Sequence, residues 1–120
     1  MKIAFTTSGN GLDAPLDSRF GRAPNFLVYD LNNETFEIVD NQQNLNAAQG
    51  AGIQSAQAVA RTGASAVVTG HCGPKAFRAL TAAGITIYTT EAATVAAALA
   101  DYQAGALVET AAADVEGHWA

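Results

Sequence analysis

Ala66-Val67-Val68-Thr69-Gly70-His71-Cys72-Gly73-Pro74-Lys75 passes from an apolar, β-branched run into a glycine-rich turn and then into a helix start. Val67, Val68 and Thr69 favour an extended backbone, and a short apolar run bounded by glycine fits a buried strand. Pro74 suits the first position of a helix, where its missing N–H has no partner to lose. The apolar spacing predicts a helix over 74–83 with Phe77 and Leu80 on one side, and Gly84 stops it. Ile85-Thr86-Ile87-Tyr88 then reads as the next strand. Strand, helix and strand within residues 66–88 make a βαβ unit, so these two strands should run parallel in one sheet.

Working outward, residues 2–7 read as a second buried strand that ends in the turn cluster Ser8-Gly9-Asn10-Gly11. Residues 12–24 show neither a helical nor a strand period, and long irregular excursions inside small domains tend to carry function. Residues 25–30 and 35–40 form a hairpin pattern, with the asparagines of Leu31-Asn32-Asn33-Glu34 expected to carry its turn. Residues 41–49 are rich in amides. A helix is expected over 53–61 with Gly63 as its cap, and a last one over 94–104 with Thr94 as N-cap and Gly105 as stop. Residues 110–120 show no pattern. The sum is an α/β chain: a mixed sheet of five strands and three helices in a three-layer α/β/α sandwich, with the domain over 1–108 and a tail over 109–120.

At 120 residues and 49% apolar content, the chain fits one domain with one core. A single cysteine excludes an internal disulfide, and Met1-Lys2-Ile3-Ala4-Phe5 enters a strand pattern with no leader-like run, so a cytoplasmic protein is expected. No apolar run approaches the roughly 18 residues that cross a bilayer, so no membrane partner is expected. The net charge of -5 argues against nucleic acid, whose binders need a basic surface to displace counterions. Yet four of the six basic residues, Arg19, Arg22, Lys75 and Arg78, fall in two short clusters. Brought together, they would make a local positive pocket suited to a compact anion.

Ligands in open α/β sheets bind beyond the carboxyl ends of strands where the strand order reverses. If the strands over 2–7 and 66–69 are both central, those ends are Ser8, Gly9 and Asn10 on one side and Gly70, His71, Cys72 and Gly73 on the other. Arg19, Arg22 and Lys75 would neutralise an anion there, and Gly73 to Lys75 would offer backbone amides at a helix N-terminus. His71 and Cys72 supply an imidazole and a sulfur for soft metal, since a thiolate beside a lysine at a helix start ionises readily. Each residue also has a plainer reading. The glycines can simply make a turn, Cys72 can fill the core, and Arg19 and Arg22 can be surface charges. Two adjacent residues do not make a zinc site, which needs about four ligands. Adjacent cysteine and histidine seldom make a nucleophile and base, so no catalytic residue is assigned. Asp13, Asp17, Asp30 and Asp40 read as solvated turn residues, and the glycine cluster at 8–11 lacks the lysine and length of a phosphate-binding loop. His118 and Trp119 read as a frayed end, with folding over a pocket as the alternative. A regulatory module that binds a phosphate-bearing small molecule at the same loops remains open on these residues alone.

Several segments together resemble the dinitrogenase iron-molybdenum cofactor biosynthesis family of small cofactor-carrier domains. They are Lys2-Ile3-Ala4-Phe5 with its glycine turn, Asp17-Ser18-Arg19-Phe20-Gly21-Arg22-Ala23-Pro24-Asn25-Phe26 and Gly50-Ala51-Gly52-Ile53. Val67-Val68-Thr69-Gly70-His71-Cys72-Gly73-Pro74-Lys75-Ala76, Gly84-Ile85, Thr94-Val95 and Gly105-Ala106-Leu107 extend the likeness over about residues 1–108. The resemblance implies a ribonuclease H-like fold without nuclease activity. Its implied role is non-catalytic carriage of a molybdenum-containing sulfide cluster, with copper as a candidate second metal and an iron-molybdenum cofactor precursor as the family alternative. A protein donor or acceptor of that cluster is implied as the partner.

Overall fold

The computed structural model describes residues 1–45 and 50–110. Its strands are β1 (Lys2–Thr7), β2 (Asn25–Asp30), β3 (Thr35–Asp40), β4 (Ala66–Thr69) and β5 (Thr86–Thr89). They form one mixed sheet in the order β3-β2-β1-β4-β5. β1, β4 and β5 are parallel neighbours, while β2 pairs antiparallel with both β1 and β3. Both strands expected to be central are therefore adjacent, and the order reverses at β1, from which the chain builds outward in both directions.

Among the described residues there are four α-helices: α1 (Gln42–Leu45), α2 (Ala51–Arg61), α3 (Pro74–Ala82) and α4 (Val95–Gln103). The expected count of three is corrected by α1, a single turn in the amide-rich stretch. The Asp40 carboxylate starts it by accepting from the Gln42 N–H at 2.7 Å. A 3-10 turn, Phe20–Arg22, lies inside the long excursion. The other boundaries move by one or two residues, with α2 starting at Ala51 rather than at 53 and β5 running over Thr86–Thr89 rather than 85–88. Caps set two of the starts: Gly73 precedes Pro74 at the head of α3, and Thr94 Oγ1 accepts from the Ala97 N–H at 3.1 Å at the head of α4.

Every residue of β4 is buried, because helices cover both faces of the sheet and alternating side chains all find apolar neighbours. On one face Ala4, Phe26, Val28, Val67 and Ile87 pack with Ala56 and Val59 of α2 and Ala76 and Leu80 of α3. On the other, Ile3, Phe5, Leu27, Tyr29 and Val68 pack with Val95, Ala98 and Leu99 of α4. The Phe77 and Leu80 stripe of α3 faces the sheet as its spacing implies. Leu80 is completely buried, so Leu80→Ala should cost about 2–5 kcal/mol through lost burial and the cavity left behind.

The hairpin strands match their expected limits, but the turn works differently. Asp30 Oδ1 accepts from the backbone N–H groups of Asn32 and Asn33, and the left-handed position is taken by Glu34 at φ 56°. The asparagines thus close the turn onto Asp30. At the far edge of the sheet, Glu109 forms an antiparallel bridge with Tyr88, and the Thr110 N–H donates to the Ile87 carbonyl at 2.7 Å. His118 and Trp119 lie outside the described residues. No helix among the described residues is long and apolar enough to cross a membrane.

Candidate functional site

The register of β1 on β4, Ile3 opposite Ala66 through Phe5 opposite Val68, brings their carboxyl ends side by side. Thr6 and Thr69, both fully buried there, place their hydroxyl oxygens 2.9 Å apart, and Thr6 Oγ1 also lies 2.8 Å from the Asp17 carbonyl oxygen. α3 and α4 start directly after β4 and β5, and α2 runs back toward the start of β4. All three long helices therefore turn their N-terminal amides toward this edge, where the helix dipole favours negative charge.

The irregular excursion is what closes the edge. Thr7 bridges to Leu16 and Pro15 to Thr94, the Leu16 N–H donates to the Ala93 carbonyl at 3.1 Å, and the Asp17 N–H donates to the Thr6 carbonyl at 2.8 Å. Arg19 then makes a parallel bridge with His71, and the Phe20 N–H donates to the His71 carbonyl at 3.1 Å. Apart from the local turns Ala14 to Gly11 and Arg22 to Arg19, its backbone bonds go to distant segments, so no local period could reveal its path.

Gly70 is required at the crossing. A Cβ there would lie 2.6 Å from Ser18 Cα and 2.7 Å from the Ser18 carbonyl oxygen, and backbone cannot move aside as a side chain can. Gly9 is similarly constrained, with a Cβ falling 2.5 Å from that of Ala14.

Of the expected site residues, Arg19, Gly70 and His71 meet at the crossing, Gly73 and Lys75 lie at the head of α3, Ser8, Gly9 and Asn10 lie on the loop after β1, and Arg22 ends the 3-10 turn. Ser18, Arg19 and Phe20 come directly against Gly70 and His71, with the Arg19 side chain exposed and His71 half-buried. Gly73 is buried beneath the first turn of α3, and Lys75 is exposed on that turn. Ser8 and Asn10 are exposed on a loop held one strand over: the Asn25 amide donates to the Gly9 carbonyl at 3.0 Å, and the Gly9 N–H donates to Thr7 Oγ1 at 3.1 Å. The two glycine loops are thus joined through residues 16–20, which run between them. Arg22 is exposed at the end of the 3-10 turn.

Cys72 is turned inward. It is completely buried in the core layer of Phe20, Phe26, Ala76 and Leu80, and its Sγ lies 3.7 Å from the Gly73 carbonyl oxygen. A thiol in that position is screened from solvent in this structure, as the core-filling reading of Cys72 expects. His71, half-buried, lines the cavity at the edge, while Cys72 joins the face of the sheet that α2 and α3 cover.

A cavity of about 310 Å³ opens beside this crossing, lined by Leu16, Ser18, Gly70, His71 and the loop Thr90 to Ala93. Sequence reasoning missed Ser18, Thr90 and Glu91 as site-lining residues. Thr90 and Glu91 follow β5, whose carboxyl end lies on the same edge, so the rule that selected the ends of β1 and β4 could have found them. Among the described residues, no three His, Cys, Asp or Glu side chains converge to hold a metal ion. The chemistry on this edge is charge and hydrogen bonding: exposed guanidinium and ammonium groups, helix amides, hydroxyls, the half-buried His71 imidazole and, lining the cavity itself, the Glu91 carboxylate.

Comparison with known proteins adds to this geometry. The sequence profile of the dinitrogenase iron-molybdenum cofactor family matches residues 1–105. The apo orange protein of Desulfovibrio gigas is 42% identical and superposes with a TM-score of 0.92 over 95% of this chain and 96% of its own. A NifB-like protein from Thermotoga is 30% identical, with a TM-score of 0.80 over 90% of this chain and 91% of its own. An uncharacterised protein of Methanocaldococcus jannaschii is 32% identical over 91 residues, 73% of each chain.

Proposed function

This chain belongs to the dinitrogenase iron-molybdenum cofactor family, and on that premise we propose that it binds and carries a compact anionic metal-sulfur cluster without transforming it. The observation that supports this most directly is the crossing at Gly70, where the 16–20 segment sets the exposed Arg19 beside His71. An anion on this edge would meet Arg19 and Arg22 from one side and Lys75 with the α3 amides from the other. Guanidinium groups suit such a cargo because they are permanently charged, weakly hydrated and rich in directed donors. Ser8, Gly9 and Asn10 would form the outer lip, and His71 is the candidate direct contact to metal or sulfide, with Gly70 and Gly73 allowing the backbone to come close.

The finer assignment is a molybdenum-containing sulfide cluster, with copper as its second metal, or an iron-molybdenum cofactor precursor. In this reading residues 1–108 are the carrier unit, its layering is ribonuclease H-like, it works in the cytoplasm, and it exchanges its cargo with a protein partner. Contact through charge and hydrogen bonds, with few covalent ligands, suits a carrier that must release what it holds.

The test is to mix the purified protein with tetrathiomolybdate and copper, separate unbound reagent, and record the visible spectrum. The expected result is a chromophore that stays with the protein and is weakened by Arg19→Ala. A spectrum that leaves entirely with the small molecules rejects the reading. Thermal stabilisation by nucleotides in its place would favour a module for phosphate-bearing ligands.

A further inference from the structure

Asn41, in the amide-rich stretch that the carrier reading does not use, is completely buried, although asparagine is a residue that folding usually leaves exposed. Its side chain uses both ends. Nδ2 donates to the Ala23 carbonyl at 2.8 Å and to Ser55 Oγ at 3.1 Å. Oδ1 accepts from Asn44 Nδ2 at 2.7 Å and from the Ser55 hydroxyl at 3.2 Å. The Asn41 backbone N–H donates to the Pro24 carbonyl at 2.8 Å. One residue at the end of β3 thus grips the two residues that immediately follow Arg22.

The other end of the same turn is held as firmly. The Phe20 N–H bonds to the His71 carbonyl, Phe20 is 1% exposed, and its ring sits 5.5 Å from that of Phe26. Ala23 is completely buried. Arg22 is therefore the exposed member of a short turn whose neighbours on both sides are pinned, one side by the β4 loop and the other by Asn41. A cation presented this way loses little backbone freedom when an anion arrives, because that freedom is already lost on folding.

We propose that Asn41 is a positioning residue for Arg22, acting through the Ala23 and Pro24 carbonyls and anchored to α2 by Ser55, so that the polar cluster under the 3-10 turn is part of the anion site. The inference rests on the carrier reading for what Arg22 meets, but not for how Arg22 is held.

The experiment is a double-mutant cycle on the full-length protein with tetrathiomolybdate as probe, using Asn41→Ala, Arg22→Ala and the double variant. Asn41→Ala should weaken binding about 5- to 10-fold when Arg22 is present and less than about 2-fold when Arg22 is already alanine, since coupled residues are not additive. Equal losses in both backgrounds would mean general damage and overturn the proposal, as would no loss at all. Should Asn41→Ala fail to fold, Ser55→Ala removes one anchor, and the same dependence on Arg22 is expected at smaller size. A second readout needs no ligand: the Arg22 and Ala23 amide signals of the apo protein should shift and gain motion in the Asn41 or Ser55 variant, while those of Val67 and Val68 stay unchanged. Unchanged Arg22 signals overturn the proposal. If the unsubstituted protein fails to bind tetrathiomolybdate, the carrier reading falls and the amide signals still decide the positioning role.

Discussion

Two hollows of this molecule have the same volume, about 310 Å³, and little else in common. One lies at the carboxyl ends of β4 and β5, between Ser18, Gly70, His71 and the Thr90 to Ala93 loop. The other lies along the flank, between α3 and β5, lined by Phe77, Thr81, Gly84, Ile85, Ile87 and Thr110 among others. The flank hollow is made of neighbours within one βαβ unit and the segment that straps its edge. The first is made by backbone from remote segments crossing at close range, with His71 and Glu91 as its titratable lining residues. Size does not distinguish them. Close backbone approach does, because it constrains the sequence at Gly70 for a reason other than filling the core.

Glycine substitutions should separate the two regions most sharply. Gly70→Ala is expected to cost about 3 kcal/mol, because a methyl group cannot share space with Ser18 backbone at 2.6 Å, and to abolish cluster retention. Gly84→Ala, beside the flank hollow, meets nothing within 4 Å and should cost only about 1–2 kcal/mol for its left-handed φ of 78°. Urea unfolding of both variants checks the order, and equal losses would break the comparison. Next is Thr6→Val, which removes the buried hydroxyl from Thr69 and the Asp17 carbonyl and should cost about 1–3 kcal/mol by the same measurement.

Arg19→Ala comes third and should act on binding alone. Its side chain is exposed, so the unfolding midpoint should hardly move, while tetrathiomolybdate affinity falls about 10-fold and loses part of its salt dependence. Cys72→Ala should do the reverse. Stability drops by about 1 kcal/mol from lost core packing, and the retained chromophore changes less than about 2-fold. A chromophore lost with Cys72 would place the thiol in the site.

The smallest effect belongs at the opposite end of the sheet from the candidate site. Hydrogen bonding from the Asn32 backbone N–H is the largest cause holding the Asp30 carboxyl below its ordinary value of 3.8, helped by Asn33 and opposed by partial desolvation. A depressed folded pKa means that this contribution is complete above 3.8 and fades as pH falls through the lower folded value. Asp30→Asn should remove that acid dependence at the hairpin while leaving tetrathiomolybdate binding unchanged. NMR titration of the carboxyl group checks the direction.

The strands and long helices were legible in the sequence because their signals are local. Val67 and Val68 beside a glycine turn, Pro74 at a helix start, Thr94 as a cap and the Phe77 and Leu80 spacing each act within a few residues. The positive clusters at Arg19 to Arg22 and Lys75 could be read as well, and so could the edge of the sheet on which they would fall. The direction in which Cys72 points could not, since a loop residue has no period to fix its side. The end-of-strand rule could have reached Thr90 and Glu91, but their approach to Gly70 depends on how β5 and α4 are seated.

By itself, then, the sequence determined an α/β chain with a parallel β4 and β5 and the starts of α3 and α4 at Pro74 and Thr94, and it raised the expectation of a ligand edge beyond β1 and β4. Only the tertiary structure decided the path of residues 12–24, the burial of Cys72, the need for glycine at Gly70 and the hold of Asn41 on the arginine turn. The physical reason is separation along the chain. Thr6 and Thr69 meet across 63 residues and Asn41 reaches Ala23 across 18, so the bonds that shape the site belong to pairs brought together only when the sheet and its covering helices form.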